Sequence, residues 1–409
     1  MSKFITKTSC RVCKSKNLVK ILDLGTMPSA NSFLYKKEIN LPEEEFPLAV
    51  AMCGNCKLIQ LFDRVDPAYL YTHYDYMTSV SGPLVAYFVE FGQKLLRRFI
   101  RSGSEFVVEI GGNDGVLLGS IKDSCRVLNI EPARNIAAMS RERGVETINE
   151  FFSAKLASAI YDSHGPAKVV TASNVVAHID DLEDLFEGVG RLIGDSGIFV
   201  AEVHWVGNLI GDGGFDQIYH EHLSYFSLGS LIRLGRRMGL TVFDAELTPM
   251  HGALLRVYFA KKQHPRASVA RILSSERKAG LNSVSTFYRF AARVDQNREE
   301  LRRVLLDLHK QGKTIVGYGA PAKGNTLLNS CGIGNDVVDF IIDSTPFKQG
   351  LYTPGGHIPV RHPVNFKKTK PDYALLLAWN YAEAILAKEK EYRQAGGKFI
   401  IPVPTVKIV

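Results

Sequence analysis

A chain of 409 residues that is 45% hydrophobic and 22% charged has the balance of an ordinary globular protein, with apolar content for roughly two to four domains. Six cysteines are too few for a disulfide scaffold, and no stretch approaches about 18 consecutive apolar residues, so neither a stapled secreted module nor a membrane-spanning protein is expected. The net charge of +8 suits an acidic ligand such as a nucleotide diphosphate, and also RNA. The basic residues are scattered, however, at Arg97-Arg98, Arg233 to Arg237 and Lys367 to Lys370, which favours an enzyme over a nucleic-acid-binding stripe.

The start, Met1 to Lys7, carries no apolar leader, so a cytoplasmic, reducing compartment is expected. Cys10-Arg-Val-Cys13 and Cys53-Gly-Asn-Cys56 are two C-x2-C pairs. Each forms a tight knuckle, and four thiolates from two matched pairs meet the tetrahedral demand of one zinc ion with no open position, so a structural zinc is expected. The 39 residues between the pairs read as a hairpin insert with turns at Gly25, Pro28 and Asn31, and Cys56 runs into a strand, Leu58 to Phe62. Cys125 and Cys331 read as small buried residues. Tyr69 and Tyr71 read as a hydrophobic joint, while Tyr74 and Tyr76, beside a Thr-Ser-Val-Ser loop, are candidates to hydrogen-bond a substrate.

From Pro83 to Arg101 apolar residues recur at helical spacing. Phe106-Val-Val-Glu-Ile-Gly-Gly-Asn-Asp-Gly-Val-Leu-Leu118 then reads as a buried strand, a glycine turn and a helix. Gly111, Gly112 and Gly115 let the backbone approach a ligand, and Glu131 ends the next strand about 20 residues on, where an acid grips ribose hydroxyls. The turn is not a clean G-x-G-x-x-G. With Glu109, Asn113 and the glycines it resembles motif one of class I S-adenosylmethionine methyltransferases more than a nicotinamide fingerprint. Strands are expected at 168–178, 197–203 and 240–243, with an antiparallel seventh at 253–259. Asn174, His178 and His204 fall at the carboxyl ends of such strands, where ligands bind in open α/β sheets.

Between the fifth and sixth strands lies Gly213-Gly-Phe-Asp-Gln-Ile-Tyr-His-Glu-His-Leu-Ser-Tyr-Phe226. Tyr219, His220, Glu221 and His222 are groups that move protons near neutral pH. A polar turn with satisfied histidines is the bland reading. Its place on the ligand edge of the sheet favours an active-site floor. Residues 261–312 read as a helical arm. Thr314 to Thr326 repeats the strand, glycine turn and helix, followed by strands ending at Asp343, Trp379 and Pro402. This second Rossmann-like half either holds a nucleotide, with Lys323, Lys348 and Arg361 adding charge, or packs without a ligand of its own.

Taken together, these parts resemble the deoxysugar C-methyltransferases that act on nucleotide-linked 4-keto sugars. The resemblance runs through Cys10, Cys13, Asp23 to Gly25, Pro28, Asn31, Cys53 and Cys56; Glu109 to Gly115; Tyr219 to His222; His251-Gly252; and Gly317 to Gly324 with Asp343 to Gly350. It implies an α/β chain in four parts: a zinc module and joint (1–80), a class I methyltransferase domain (81–262), a helical arm (263–312) and a C-terminal Rossmann-like domain (313–409). It further implies methyl transfer from S-adenosylmethionine to C3 of a nucleoside-diphosphate-linked 4-keto-6-deoxyhexose through an enolate. His222 is then the expected base, with Glu221 setting its orientation and charge or contacting the sugar, Tyr219, His178 and Tyr74 or Tyr76 on the substrate oxygens, and His220 structural. Glu109, Gly111, Gly112, Asn113, Gly115, Glu131 and Asn174 are the expected cofactor contacts. Neither nucleic acid nor membrane is an expected partner, and a monomer is the working assumption. A zinc-containing RNA methyltransferase is the alternative.

Overall fold

The computed structural model describes residues 3–71, 77–248 and 254–409. Its largest sheet has seven strands in the order Thr241–Thr248, Leu254–Ala260, Ile198–His204, Val169–Ser173, Phe106–Ile110, Arg126–Ile130 and Thr147–Ile148. Leu254–Ala260 runs antiparallel to both neighbours, and the pairings from Ile198–His204 to Thr147–Ile148 are all parallel. The central strands read as nearly unbroken apolar runs because both of their faces are buried. The helix Gly82–Phe99 sets Phe91 and Leu95 against Val107 and Val200 on one face. The helix Leu182–Leu192 covers the other with Phe186 and Val189. Asp181 starts that helix by accepting from the Asp184 amide, a cap worth about 1 kcal/mol. The helix after the glycine turn is a single turn, Val116–Gly119, and the sixth strand runs on to Thr248 rather than stopping at Phe243.

A four-stranded antiparallel sheet carries the cysteine region: Leu18–Pro28, Glu45–Cys53, Ile59–Leu61 and, at its edge, Ser224–Tyr225. The last strand comes from the segment expected to floor the active site. Gly25 and Pro28 lie inside the first strand rather than at turns. Gly25 sits at φ +84° within a register shift, its amide bonded to the Asp23 carboxylate at 3.0 Å. This bulge needs a residue tolerant of positive φ.

The C-terminal sheet orders Val360–Arg361, Phe340–Ile342, Ile315–Tyr318, Tyr373–Leu376, Lys398–Ile401 and Lys407–Ile408, with only the last antiparallel. Trp379 does not end a strand. The Leu377 amide turns back to the Leu375 and Tyr318 carbonyls, and Trp379 opens a short 3-10 turn. The helical arm forms Ala267–Lys278 and the 27-residue Val284–Lys310. The longer helix buries Phe287, Phe290, Val294, Leu301, Leu305 and Leu308, at the spacing of one helical face. That face joins Leu48 and Val50 of the cysteine sheet, Phe215 and Ile218, and Leu327 and Leu328 of the C-terminal part in one apolar core. Among the described residues no helix is long and apolar enough to cross a membrane.

Candidate active site

The segment 213–226 is fixed before it is functional. Gly213 takes φ +64°, and Phe215 and Ile218 are buried to 0% and 1% exposure. Truncating a buried side chain such as Phe215 costs roughly 3–5 kcal/mol, so the turn between them is anchored to the core. The His222 amide closes on the Tyr219 carbonyl at 2.9 Å. This brings the Tyr219 ring within 4.0 Å of the His222 ring, centroid to centroid. The rings of His178 and His204 lie at 5.0 and 5.2 Å from the same imidazole. His222 is buried, while His178, His204 and Tyr219 are half-buried, so the cluster runs from one buried histidine to three partly accessible rings.

The tautomer of His222 follows from its partner. Nδ1 lies 2.8 Å from the Gln217 carbonyl, and a carbonyl only accepts, so Nδ1 carries the proton and Nε2 the lone pair. His178 is held in the same manner, its ring donating to the Asn174 carbonyl, which the left-handed conformation of Asn174 (φ 58°) turns back from the strand end. Burial, reinforced by the facing histidine, pushes His222 down to about 3 and His178 down to about 4. Both are therefore neutral at pH 7, the form a general base requires. His220 points elsewhere: its Nε2–H donates to the Phe46 carbonyl at 3.1 Å, and burial lowers it to about 4. That contact ties it to the cysteine sheet and away from His222.

These histidines set a pH dependence of stability. Their folded pKa values lie below the ordinary 6.5, so the unfolded chain binds more protons and stability falls as pH drops from about 6.5 towards 4. Each histidine contributes a slope of about 1.4 kcal/mol per pH unit in that window. Buried Glu109 and Glu221, raised to about 8 and about 7, act with the opposite sign. Their stabilisation is lost as pH rises through those values. Denaturant titrations should show His220→Asn reducing the acid-limb slope by about one proton; an unchanged slope would contradict this.

Glu221 does not orient His222. Its Oε1 accepts from Asn31 Nδ2 at 2.6 Å, across to the cysteine region, and its carboxyl feels the charge of Lys348 from the C-terminal part. The Gln217 carbonyl takes the orienting role. Sequence reasoning missed it because a backbone acceptor has no residue signature. Tyr74, Tyr76 and the His251-Gly252 pair lie outside the described residues.

The glycine turn is shaped to receive a ligand closely. Gly111, Asn113 and Gly115 have φ of +63°, +51° and +76°. A Cβ on Gly112 would stand 2.5 Å from Asn129 Oδ1 and 2.8 Å from the Glu109 side chain. Glu131 grips the loop itself, accepting from the Asn113 amide at 3.0 Å and the Ala133 amide at 2.9 Å. A carboxylate offers about four acceptor positions, so its capacity for hydroxyl donors remains. Glu109 Oε2 and Asn174 Oδ1 are buried without a hydrogen-bond partner among the described residues. Two buried polar side chains with unfilled hydrogen-bonding capacity beside a glycine cradle fit S-adenosylmethionine, whose polar groups can fill it.

The cysteines converge as their spacing required. The four Sγ atoms lie within 4.8 Å of one another, with Cys10–Cys56 at 3.4 Å and Cys13–Cys53 at 3.5 Å. Sulfurs around a tetrahedral zinc sit about 3.8 Å apart, given bonds of about 2.3 Å, so the set fits zinc. Both knuckles use one device: Lys14 and Lys57 take φ of 58° and 63° and bond back to the Cys10 and Cys53 carbonyls at 3.0 Å. Arg11, inside the first knuckle, reaches Asp180 at 3.0 Å, joined there by Lys7 and Arg64. Burial raises the Asp180 carboxyl, but Lys7 and Arg11 overcome it and hold the group below its ordinary value. Asp180 lies two residues beyond His178. The Leu223 amide bonds to the Ala177 carbonyl at 2.8 Å, and the Leu223 carbonyl accepts from Leu61 at 3.0 Å. The zinc module thus holds both histidine-bearing segments.

In the C-terminal part, the Ala320 amide of the second glycine turn is taken by Asp343. Lys348 Nζ donates to the Ala320 carbonyl and Lys323 Nζ to Asn380 Oδ1.

The seven-stranded sheet with its antiparallel seventh strand and the glycine cradle define a class I S-adenosylmethionine-dependent methyltransferase, and the four converged cysteines give it a structural zinc module. Three family models match consecutive parts of the chain: a zinc binding domain over residues 10–71, a methyltransferase domain over 87–245 and a C-methyltransferase C-terminal domain over 249–404. The chain is 36% identical over 404 residues to the C-methyltransferase NovU of Streptomyces niveus, covering 98% of this chain and 96% of that protein. It belongs to the C-methyltransferase family. Among solved structures, it resembles methyltransferases of Thermotoga maritima (17% identity, 44% of this chain and 92% of that one, TM-score 0.34) and Anabaena variabilis (10%, 42% and 83%, TM-score 0.35). At that identity and superposition they add nothing to the assignment.

Proposed function

We propose that the chain methylates C3 of a 4-keto-6-deoxyhexose carried on a nucleoside diphosphate, after deprotonation at C3. The observation that carries the reading is the His222 imidazole, neutral, with Nδ1 committed to the Gln217 carbonyl, Nε2 keeping the lone pair, and the rings of Tyr219 and His178 packed against it. The neighbouring C4 carbonyl acidifies the C3 proton, and Nε2 removes it. The imidazolium forms beside the enolate charge it creates, which raises its pKa during the step. Tyr219 donates to a substrate oxygen, where a preorganised donor contributes most, while neutral His178, its ring N–H committed to the Asn174 carbonyl, accepts from a sugar hydroxyl. Glu221, tied to Asn31, contacts the sugar rather than the base. Glu109, Gly111, Gly112, Asn113, Gly115, Glu131 and Asn174 hold the cofactor, which supplies an electrophilic methyl group to C3. In this reading 1–80, 81–262, 263–312 and 313–409 act as the functional units, a monomer suffices, and neither nucleic acid nor membrane takes part.

The test is turnover with S-adenosylmethionine and a panel of nucleotide-linked 4-keto-6-deoxyhexoses, followed by mass spectrometry. One sugar should gain one methyl group, at C3. Methylation of RNA with none of the sugars changed would overturn the proposal.

A further inference from the structure

The C-terminal part reaches the catalytic segment through one side-chain bond that the reaction scheme above does not use. Trp379 Nε1 donates to Asp216 Oδ2 at 2.6 Å. Asp216 is fully buried in the short 3-10 turn Phe215–Gln217, directly before Gln217, whose amide closes the turn on the Gly214 carbonyl at 3.1 Å. The carbonyl of that same Gln217 receives the His222 Nδ1 proton. On the other side, Lys323 Nζ lies 4.1 Å from the Trp379 ring centroid and donates to Asn380 Oδ1 at 2.6 Å. The indole is thus held on its face by a cation and aimed by its edge at Asp216. The path runs from the helix Ala322–Cys331 to the base through Lys323, Trp379 and Asp216 by side-chain contacts, then along the backbone from Asp216 to Gln217, whose carbonyl holds His222.

We propose that Trp379 and Asp216 are positioning residues that fix the Gln217 carbonyl, and through it the reactive tautomer of His222. Neither residue touches substrate in this scheme. Their work is to keep a single acceptor at the imidazole Nδ1. Without the indole N–H, the buried Asp216 carboxyl seeks another donor and draws the Gln217 peptide with it. The Gln217 carbonyl then leaves the Nδ1–H, and the imidazole samples both tautomers. Only one of them presents the lone pair at Nε2. A displacement near 1 Å of a catalytic group costs on the order of a hundredfold in rate. The proposal rests on the reading of His222 as the base, but the tautomer can be measured independently of catalysis.

The experiment compares wild type, Trp379→Phe, Asp216→Leu and Asp216→Asn as full-length, zinc-loaded proteins. Trp379→Phe keeps an aromatic ring for Lys323 while removing the N–H donor and one ring of the half-buried indole, so it should fold. Asp216→Asn keeps an acceptor for the indole. Nitrogen-15 NMR of the His222 ring should show a single Nδ1-protonated tautomer in wild type and a mixture in Trp379→Phe and Asp216→Leu, with Asp216→Asn recovering most of the single form. Turnover number should fall about 10- to 100-fold in the first two variants, with KM for S-adenosylmethionine unchanged. A bond that only stabilises the fold would lower the melting temperature and leave tautomer and turnover number alone. That result, or wild-type nitrogen shifts in Trp379→Phe, overturns the proposal. Turnover retained in His222→Asn would instead remove the base assignment, and the nitrogen shifts of Trp379→Phe would still decide whether the indole holds the ring.

Discussion

We expect His222→Asn to abolish detectable turnover, a loss of about 10²- to 10⁴-fold, with S-adenosylmethionine binding as it does to wild type. Asparagine is the informative replacement because its amide can still donate towards the Gln217 carbonyl, the acceptor that the imidazole Nδ1–H uses. What it lacks is the lone pair at Nε2. The glycine cradle from Gly111 to Gly115 lies at the end of a different strand, Phe106–Ile110, and neither Glu131 nor Asn174 bonds to His222. Calorimetric titration of the cofactor should therefore give unchanged affinity, and single-turnover kinetics should give no product. Full activity in this variant would take His222 out of the base role and leave His178 as the nearest imidazole.

Loss of zinc is the second large effect. Cys56→Ser breaks the tetrahedral set, and structural zinc sites contribute binding energies on the order of 10 kcal/mol or more that folding then lacks. The melting temperature should fall by roughly 10 °C or more, and elemental analysis should find no zinc. Activity should vanish for a further reason. Ile59–Leu61, three residues past Cys56, pairs with Ser224–Tyr225, two residues past His222, and Arg11 inside the first knuckle holds Asp180 beside the His178 turn. Both imidazoles lose their supports together. The glycine cradle belongs to another sheet, so cofactor affinity should outlast turnover as zinc is stripped by a chelator. Turnover that survives complete removal of zinc would contradict this coupling.

Much of this was legible in the sequence because it rests on local spacing. The two C-x2-C pairs dictate a shared ion, Glu109 to Gly115 dictates a strand feeding a close-approach turn, and the proton-transfer groups crowd into residues 219–222. What was not legible depends on distant partners or on backbone atoms. No periodicity in two residues, Ser224 and Tyr225, shows that they complete a sheet begun at Leu18. Glu221 beside His222 in the chain suggests an orienting acid, yet neighbours in an extended turn point apart, and Glu221 finds Asn31 instead. Gly25 and Pro28 look like turn residues, but Asp23 closes a bulge around Gly25 and the strand continues. The apolar run to Trp379 reads as strand until Leu377 turns back, and that turn puts the indole on Asp216.

The most direct measurement is solvent exchange at C3. The substrate is incubated in heavy water with S-adenosylhomocysteine in place of the methyl donor, so that deprotonation is read without transfer, and wild type is compared with His222→Asn. Deuterium uptake at C3 with the wild-type protein and none with the variant is the predicted result. Equal uptake in the two would contradict it and show that another group removes the proton.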